Sequence, residues 1–249
     1  MNLQPEVQVA QIEFGPSALA ASLNREIEPG SQLLRAALDI RWNDPDPLSA
    51  LDRIEKRLLD FSPTFMSHQC RGPIAYHVFV RRRDGASADP APDRRAVPEG
   101  PARPFDACLA LAHLIEHAVI DFESSVTGEA RISGITGARR TPPGRFDVMV
   151  ECHDRRVGRL CLTLAVATLT AAAADRPPGR PEREALAAVR LAHRHPGRTW
   201  RPAAVARALG WSFPQALRAL SSLRDLGYLT EFPYTVNISG VPQYRVSAC

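Results

Sequence analysis

The chain has 249 residues, of which 45% are hydrophobic and 23% are charged, and its formal net charge at neutral pH is +4. This length suits one large domain or two ordinary ones, and the composition is that of a globular rather than a disordered protein. The charge is uneven: residues 181–249 carry nine arginines and four acidic residues, whereas residues 1–180 have a net charge of −1. The basic excess therefore belongs to the C-terminal part.

The five cysteines are scattered along the chain and form no C-x-x-C pair. Such spacing is typical of reduced thiols rather than of a disulfide framework, so a cytoplasmic location is expected. The first residues lack a basic start followed by an apolar run, so no signal peptide is expected. The longest apolar segment, residues 160–174, contains three threonines and falls short of about 18 uncharged apolar residues, so no membrane span is expected.

Hydrophobic periodicity and turn residues divide the first 175 residues into short strands and helices. Strands are predicted at residues 8–14, 33–42, 74–80, 130–136 and 146–152. Helices are predicted at residues 17–26, 48–61, 105–125 and 157–174. Residues 84–104 are rich in Pro, Ala and charge, which predicts a flexible loop. This order of elements predicts an α+β domain at residues 1–175, with helices packed on one mostly antiparallel sheet.

The predicted helix at residues 105–125 contains the only local motif in the sequence with metal-ligand spacing, H-x-x-E-H, set in an apolar run without Gly or Pro. His113 and His117 stand at positions i and i+4, so both imidazoles can reach one ion from one helix face. Glu116 is expected beside them, where it can poise a water molecule; this is the residue order of the inverzincin hydrolases. The alternative is a pair of structural histidines on an amphipathic helix.

Residues 176–181, RPPGRP, have the composition of a linker. Three helices are predicted beyond it, at residues 182–194, at residues 203–209 and after a capping Ser212, followed by a β-hairpin near residues 227–246. The stretch VARALGWSFPQALRALSSLRDLGYL resembles the helix-turn-helix and wing entrance of bacterial transcription regulators. The resemblance implies a small winged-helix domain at residues 182–249.

If this domain binds double-stranded DNA, its third helix is expected to enter the major groove. Gln215, Arg218 and Ser222 share the face opposite a stripe of leucines and are the predicted base contacts. Arg201 and Arg224 are the predicted phosphate contacts. The basic C-terminal part supports DNA binding, whereas the nearly uncharged predicted wing counts against strong contacts there. The alternative is a winged helix used for protein contacts or for homodimer formation.

A second resemblance covers about residues 33–170. The segments that carry it are AHLIEHAVIDFE at 112–123, GARRTPPGRFDVMVEC at 137–152 and RVGRLCLTLAV at 156–166, together with the His-x-Cys segment at 68–70. They resemble the N-terminal domain of bacterial cyanophycin synthetases. Residues 73–104 depart from the family pattern. The 249 residues contain no ATP-grasp or Mur-ligase-like domain, so synthetase activity is not expected.

In some of those synthetases the domain resembles a metallopeptidase that cuts the Asp–Arg dipeptide polymer. The resemblance implies Zn²⁺ held by His113 and His117, with Glu116 as the general base that takes a proton from the metal-bound water before attack on an amide carbonyl. A catalytic zinc needs a third protein ligand and an open position.

Glu151 is the preferred third ligand, because it lies near a strand end and matches the Phe-Glu-Tyr glutamate of the family. Asp121 is the next option, either as a ligand or as a partner that orients His117. His68 and His153 are weaker options. Pitrilysin-type enzymes take a glutamate from a later helix, but the predicted helix at 157–174 contains no acid, which argues more against catalysis than against metal binding.

Two functions of different class follow. The first is a zinc-dependent metallopeptidase that hydrolyses a peptide or isopeptide, cyanophycin-like if the resemblance holds, with the winged helix as an accessory. The second is a winged-helix transcription regulator whose N-terminal domain is a catalytically degenerate sensor of a metal or a peptide. The first is preferred at this point, because its residues form a chemical constellation whereas the DNA-facing residues are less distinctive.

Overall fold

The computed structural model describes residues 4–44, 46–62, 65, 104–139, 141–176, 179–231 and 241–247. Four predicted features lie outside the described residues: the strand at 74–80, the loop at 84–104 except for Pro104, the His-x-Cys segment at 68–70 and most of the wing.

The first part of the chain alternates between strands and helices. Its elements are β1 (Glu6–Gly15), α1 (Ala18–Leu23), β2 (Leu33–Arg41), α2 (Pro47–Phe61), α3 (Pro104–Thr127), β3 (Gly134–Ala138), β4 (Arg145–Glu151) and α4 (Arg155–Ala173). The four strands form one sheet in the order β1-β2-β4-β3, and every neighbouring pair is antiparallel. The predicted α+β arrangement of helices on an antiparallel sheet is confirmed.

The two faces of the sheet differ in chemistry. On β4, Phe146, Val148 and Val150 are fully buried towards the helices, and they alternate with Arg145, Asp147, Met149 and Glu151. The opposite face carries ion pairs, such as that between Arg145 and Asp39 at 2.6 Å. Because side chains alternate along a strand, each residue of β4 is committed to one of these faces, and this decides which of them can approach the helices.

Helix α3 is the central element of the fold. It packs against β2, β3, β4, α2 and α4, and its residues from Ala107 to Glu123 are buried with the exception of Leu109. A helix that is apolar around its whole circumference has no solvent face, so it is covered on all sides rather than along one stripe. The polar side chains of α3 are therefore held within the core.

Helix α4 begins where Asp154 caps it, with the carboxylate accepting hydrogen bonds from the backbone N–H groups of Arg156 and Val157. It is 19 residues long, and by length and composition alone it is apolar enough to cross a membrane. However, 56% of its apolar window is buried inside the fold, where it packs on α2 and α3. This is the environment of a core helix.

The last part of the chain contains three helices and a two-stranded sheet. These are α5 (Arg180–His193), α6 (Pro202–Leu209), α7 (Phe213–Asp225), β5 (Leu229–Glu231) and β6 (Tyr244–Val246), with β5 and β6 antiparallel. Gly210, at φ 66°, ends α6 in the left-handed conformation that glycine adopts without steric cost. Ser212 then caps α7 by accepting a hydrogen bond from the backbone N–H of Gln215.

The N-terminal and C-terminal elements share one hydrophobic core. Helix α5 packs on α3 and α4 through its buried face, which includes Ala185, Ala188 and Val189. At the other end of α4, Arg156 donates a hydrogen bond to the carbonyl oxygen of Ser247. Residues on both sides of the predicted linker therefore belong to a continuous core.

Candidate metal centre

The two histidines of the H-x-x-E-H motif converge inside the core. The Nε2 atoms of His113 and His117 lie 3.0 Å apart, and the side chains belong to residues only 7% and 5% exposed. Two nitrogens that bind one zinc ion at about 2.0–2.1 Å, with tetrahedral angles, are separated by about 3.3 Å. The observed separation is shorter than this and is a hydrogen-bond distance between the two imidazoles. The spacing thus brings the two rings together as expected, and zinc binding by them stays a prediction.

Glu116 contacts the other ring nitrogen of His113. Its Oε2 lies 3.2 Å from His113 Nδ1 and also accepts a hydrogen bond from the hydroxyl of Thr136 on β3. A proton on Nδ1, bonded to this carboxylate, makes Nε2 of His113 the acceptor in its contact with His117 Nε2, and the same tautomer is the one that a metal would require. The structure therefore places Glu116 as an orienting partner of His113, on the far side of the imidazole from the point where the two Nε2 atoms meet.

The surroundings keep Glu116 ionised. Burial raises the pKa of its carboxyl, but the hydrogen bond with His113, the positive charge of the two histidines when they are protonated and the hydroxyl of Thr136 together outweigh burial and hold this pKa below its ordinary value. Gly134 makes room for the carboxylate, because a Cβ there would lie 2.7 Å from Glu116 Oε1. Gly134 and Thr136 were not anticipated from the sequence, since strand pairing alone brings them to α3.

Asp121 lies one turn beyond His117 on α3 and is also buried. Its Oδ2 accepts a hydrogen bond from the hydroxyl of Ser62, the residue that ends α2. The ring of Phe65 meets His117 edge-on, at a centroid separation of 6.3 Å. Ser62, at the end of α2, and Phe65 therefore lie against the histidine face of α3.

The structure does not bring Glu151 to the histidine pair. Glu151 accepts hydrogen bonds from the hydroxyl of Ser31, at 3.1 Å, and from the backbone N–H of Ser133, at 2.9 Å. It follows Val150 on β4, and because Val150 faces the helices, Glu151 is on the opposite face of the sheet. The remaining option on this segment, His153, is exposed to solvent.

The histidine pair supplies two ligands of the kind that zinc prefers. Among the described residues no set of three His, Cys, Asp or Glu side chains is arranged to hold a metal ion. Another candidate, His68, lies outside the part of the chain that the structure describes. A zinc ion held by His113 and His117 would thus take its further ligands from elsewhere in the chain or from solvent.

A further acid, Glu123, is fully buried on α3 beside the thiol of Cys152. Burial raises the pKa of Glu123 to about 8. Both of its carboxylate oxygens are buried without a hydrogen-bond partner among the described residues, and the thiol of Cys152 donates instead to the carbonyl oxygen of Asp154. The three cysteines of the described residues, Cys108, Cys152 and Cys161, are buried free thiols. The pattern D-F-E within an apolar helix is the sequence signal that could have indicated such a buried acid.

Glu123 should make the stability of the protein depend on pH. An acid whose folded pKa of about 8 exceeds its ordinary value of 4.5 loses its proton first in the unfolded chain, so stability falls as pH rises between these values. We expect Glu123→Gln to remove this fall, so that the variant gains about 3–5 kcal/mol over the wild type between pH 4.5 and pH 8. Urea unfolding at several pH values measures the difference.

The exposed Glu129→Gln is the matched control for that experiment, because it removes an acid from the surface just beyond the same helix. Its unfolding free energy should follow the wild type at every pH. Parallel pH profiles for Glu123→Gln and the wild type would show that Glu123 is not a buried acid.

The side chains predicted to contact DNA differ in their solvent exposure and in their ion-pair partners. Arg218 is exposed on α7, and Arg201 is exposed at the start of α6. Gln215 and Ser222 are half-buried on α7. Arg224, in contrast, donates to Glu231 Oε2 at 2.6 Å and to Asp225 Oδ1 at 2.8 Å, and these two carboxylates raise its pKa.

Arg224 is therefore placed differently from the prediction. Its guanidinium is neutralised within the protein, and a phosphate would have to compete with two carboxylates for it. Among the described residues Arg218 makes no salt bridge, so it is the more available of the two arginines on α7.

Comparison with known proteins leaves the chain without an assigned family. No protein-family model matches the sequence. No curated protein matches it either. The resemblances to the cyanophycin synthetase domain and to bacterial regulators therefore remain predictions that rest on the quoted residues.

Proposed function

We propose that this protein is a metal-responsive DNA-binding regulator. In this proposal α5, α6, α7 and the β5–β6 pair form a winged helix that binds double-stranded DNA, and α3 holds Zn²⁺ through His113 and His117. The observation that carries the proposal is the packing of α5 on α3, which joins the histidine helix to the predicted DNA-binding module in one core.

The details of the C-terminal module support a winged helix. Trp200, which precedes α6, forms an antiparallel bridge with Tyr244 of β6, with backbone hydrogen bonds of 2.6 and 2.8 Å in the two directions. This bridge places the short β-sheet beside the helical pair α6 and α7. Helix α7 turns Ala216, Leu220 and Leu223 into the core and leaves its other face open. An open face on the second helix of such a pair is what reading of a DNA groove requires.

The arrangement around His113 favours holding a metal over hydrolysis. A bound zinc ion would supply a Lewis acid and a fixed positive charge at the point where the two Nε2 atoms meet. Glu116 holds the ring of His113 through Nδ1, and Thr136 holds Glu116 from the sheet. A general base would need its carboxylate on the Nε2 side, so the metallopeptidase with a peptide-like substrate stays the alternative prediction.

Coupling between the two sites has a short physical route. Metal binding would fix the relative position of His113 and His117 on α3, and α3 packs directly on α5. Helix α5 in turn packs on α7. A shift of α3 can therefore reach the DNA-facing helix through two helix–helix interfaces. If the helices have two arrangements and the metal binds one of them more tightly, metal binding changes the affinity of the protein for DNA. By thermodynamic linkage, DNA binding then changes the affinity for the metal by the same factor.

Substitutions of the two arginines on α7 test the DNA interface. Arg218→Ala should weaken binding to a duplex selected by the wild-type protein from a random library by about tenfold or more, because it removes an exposed groove contact. Arg224→Ala should weaken it less than about threefold, because that side chain is already held by two carboxylates. Fluorescence anisotropy at one fixed salt concentration gives both dissociation constants.

Equal losses for the two variants would contradict this assignment of the DNA-facing residues. A wild-type protein that enriches no duplex from the library would contradict DNA binding itself. Two further predictions accompany this proposal. The protein is expected in the cytoplasm, and it is expected to bind DNA as a homodimer, which a palindromic selected site would indicate.

A further inference from the structure

Strand β1 lies at an edge of the four-stranded sheet. Among the described residues β2 is the strand that pairs with it, and no strand pairs with its other side. Its ten residues include no proline and no basic residue, and both of its acidic residues are exposed. Edge strands that lack such protection can pair with a strand of another chain. The free edge of β1 is therefore a surface on which a further strand can be added.

The helix-facing side chains of β1 are only partly buried. These apolar residues pack on the hydrophobic core and yet stay intermediate in exposure: Val7, Val9, Ile12 and Phe14. Their partners in the register of β2 are at most 2% exposed: Ile40, Leu38, Ala36 and Leu34. The apolar face of the sheet is thus covered at β2 and incompletely covered at β1. A strand added to β1 would complete the cover if it carried apolar residues opposite this row.

The sequence of β1 is itself such a strand. In VQVAQIEF, residues 7–14, the order of apolar and polar side chains is the same in both directions about a point between Ala10 and Gln11. The pairing with β2 shifts register at this point, so apolar residues before and after it lie on one face of the sheet. A second copy related by a two-fold axis through this point would pair antiparallel with apolar residues opposite one another, Val7 with Phe14 and Val9 with Ile12.

The polar face of β1 favours the same register. Gln8 would lie opposite Glu13 of the second copy, which places an amide donor beside a carboxylate, and Glu6 would lie opposite Gly15. A shift of the pairing by one residue in either direction would place a valine opposite Glu13. A shift by two residues would oppose either two glutamates or an isoleucine and a glutamine. The register centred between residues 10 and 11 thus combines apolar matching with the absence of opposed like charges.

We propose that β1 is the homodimer interface of this protein, at which the strands of two copies pair antiparallel about a two-fold axis and join the two four-stranded sheets into one. The inference assigns a surface to the homodimer that accompanies the proposed function. It is derived from β1 and β2 alone, and its experiment contains no DNA. The dimer interface and the DNA-binding function can therefore fail independently.

Disulfide cross-linking of the full chain tests the register. In the variant Gln8→Cys/Glu13→Cys, the new thiols of one copy would lie opposite those of the other, within the Cα separation of about 4.4–6.8 Å that a disulfide requires. Within one copy they are about 16 Å apart along an extended strand and cannot join. After oxidation with diamide we expect a covalent dimer on non-reducing electrophoresis. The single variants Gln8→Cys and Glu13→Cys are the matched controls and should stay monomeric there, because neither position lies opposite itself.

Sedimentation equilibrium measures the same contact without a cross-link. Gln8→Glu should raise the dissociation constant of the dimer about tenfold, because it opposes two glutamates at two symmetric places. Addition of Glu13→Gln to this variant exchanges the two residues and should restore the wild-type constant. Gln32→Glu makes the same change at an exposed position just before β2 and should leave the constant unaltered. Circular dichroism confirms that each variant is folded.

A wild type that sediments as a monomer at its highest soluble concentration would overturn the inference. A dimer whose constant is the same in the wild type and Gln8→Glu, with equal cross-linking in the single and double cysteine variants, would place the interface elsewhere and would overturn it as well. In both cases the DNA-binding proposal would still be decided by the selection of a duplex by the wild type.

Discussion

Replacing both His113 and His117 by alanine is expected to lower the zinc content of the purified protein from about one equivalent per chain to near zero. The physical reason is that, in the proposal, the two Nε2 atoms, which lie 3.0 Å apart, would be the protein's nitrogen ligands to the zinc ion. Elemental analysis of protein purified without chelator measures the content. His153→Ala is the matched control, because it removes a histidine that is exposed to solvent.

The variant Glu116→Gln then distinguishes two roles of Glu116, that of an orienting partner in metal binding and that of a general base in hydrolysis. If Glu116 orients His113, as its contact with Nδ1 indicates, the variant should bind zinc about 10–100-fold more weakly. If Glu116 is instead a general base, the variant should keep the zinc affinity of the wild type and lose peptide hydrolysis. A wild-type protein without zinc would contradict both interpretations of the motif.

Phe122→Ala should lower the free energy of unfolding by about 3–5 kcal/mol. Phe122 is on α3 and is only 1% exposed, and its ring lies 5.5 Å from that of Phe61 at the end of α2, with an angle of 56° between the rings. Truncation would leave a cavity between the two helices that the packed core cannot close. Equilibrium unfolding in urea, followed by circular dichroism, gives the value.

Phe213→Ala is the comparison for that measurement, since it makes the same chemical change on a partly exposed ring. Its unfolding free energy should stay within about 1 kcal/mol of the wild type. A Phe122→Ala variant as stable as Phe213→Ala would contradict the packing of α2 on the histidine helix.

The sequence was sufficient to predict the helix that carries the candidate site. The predicted helix at residues 105–125 is observed as Pro104–Thr127, and the convergence of His113 and His117 follows from the pitch of a helix. These features depend on residues close together in the chain. Local periodicity was therefore enough to predict that His113 and His117 lie side by side on one helix.

The partners of that pair depend on contacts that the sequence does not show. Thr136 reaches Glu116 because β3 pairs with β4 beside α3. Glu151 is opposite Leu33 in the register of β2 and β4, and this register turns its side chain away from the helices. A residue pattern can predict that both are in strands, but the face of each strand is settled by the packing of the whole sheet.

The same limit applies to the predicted DNA interface. Arg224 is on α7 and Glu231 is on β5, and the turn at Gly227, with φ 76°, brings them together. An arginine that looks free on a helical wheel is therefore neutralised by a residue of the next element. Arg218 forms no ion pair among the described residues, and its role as a DNA contact stays a prediction.

The most direct test of the account is the dissociation constant of the protein for its selected duplex, measured at fixed salt with zinc removed by chelator and with zinc restored. Coupling through α3 and α5 predicts that zinc changes this constant at least about fivefold in the wild type and leaves it unchanged in the variant with both His113→Ala and His117→Ala. The same constant for the wild type with and without zinc would contradict the proposed link between the histidine pair and α7.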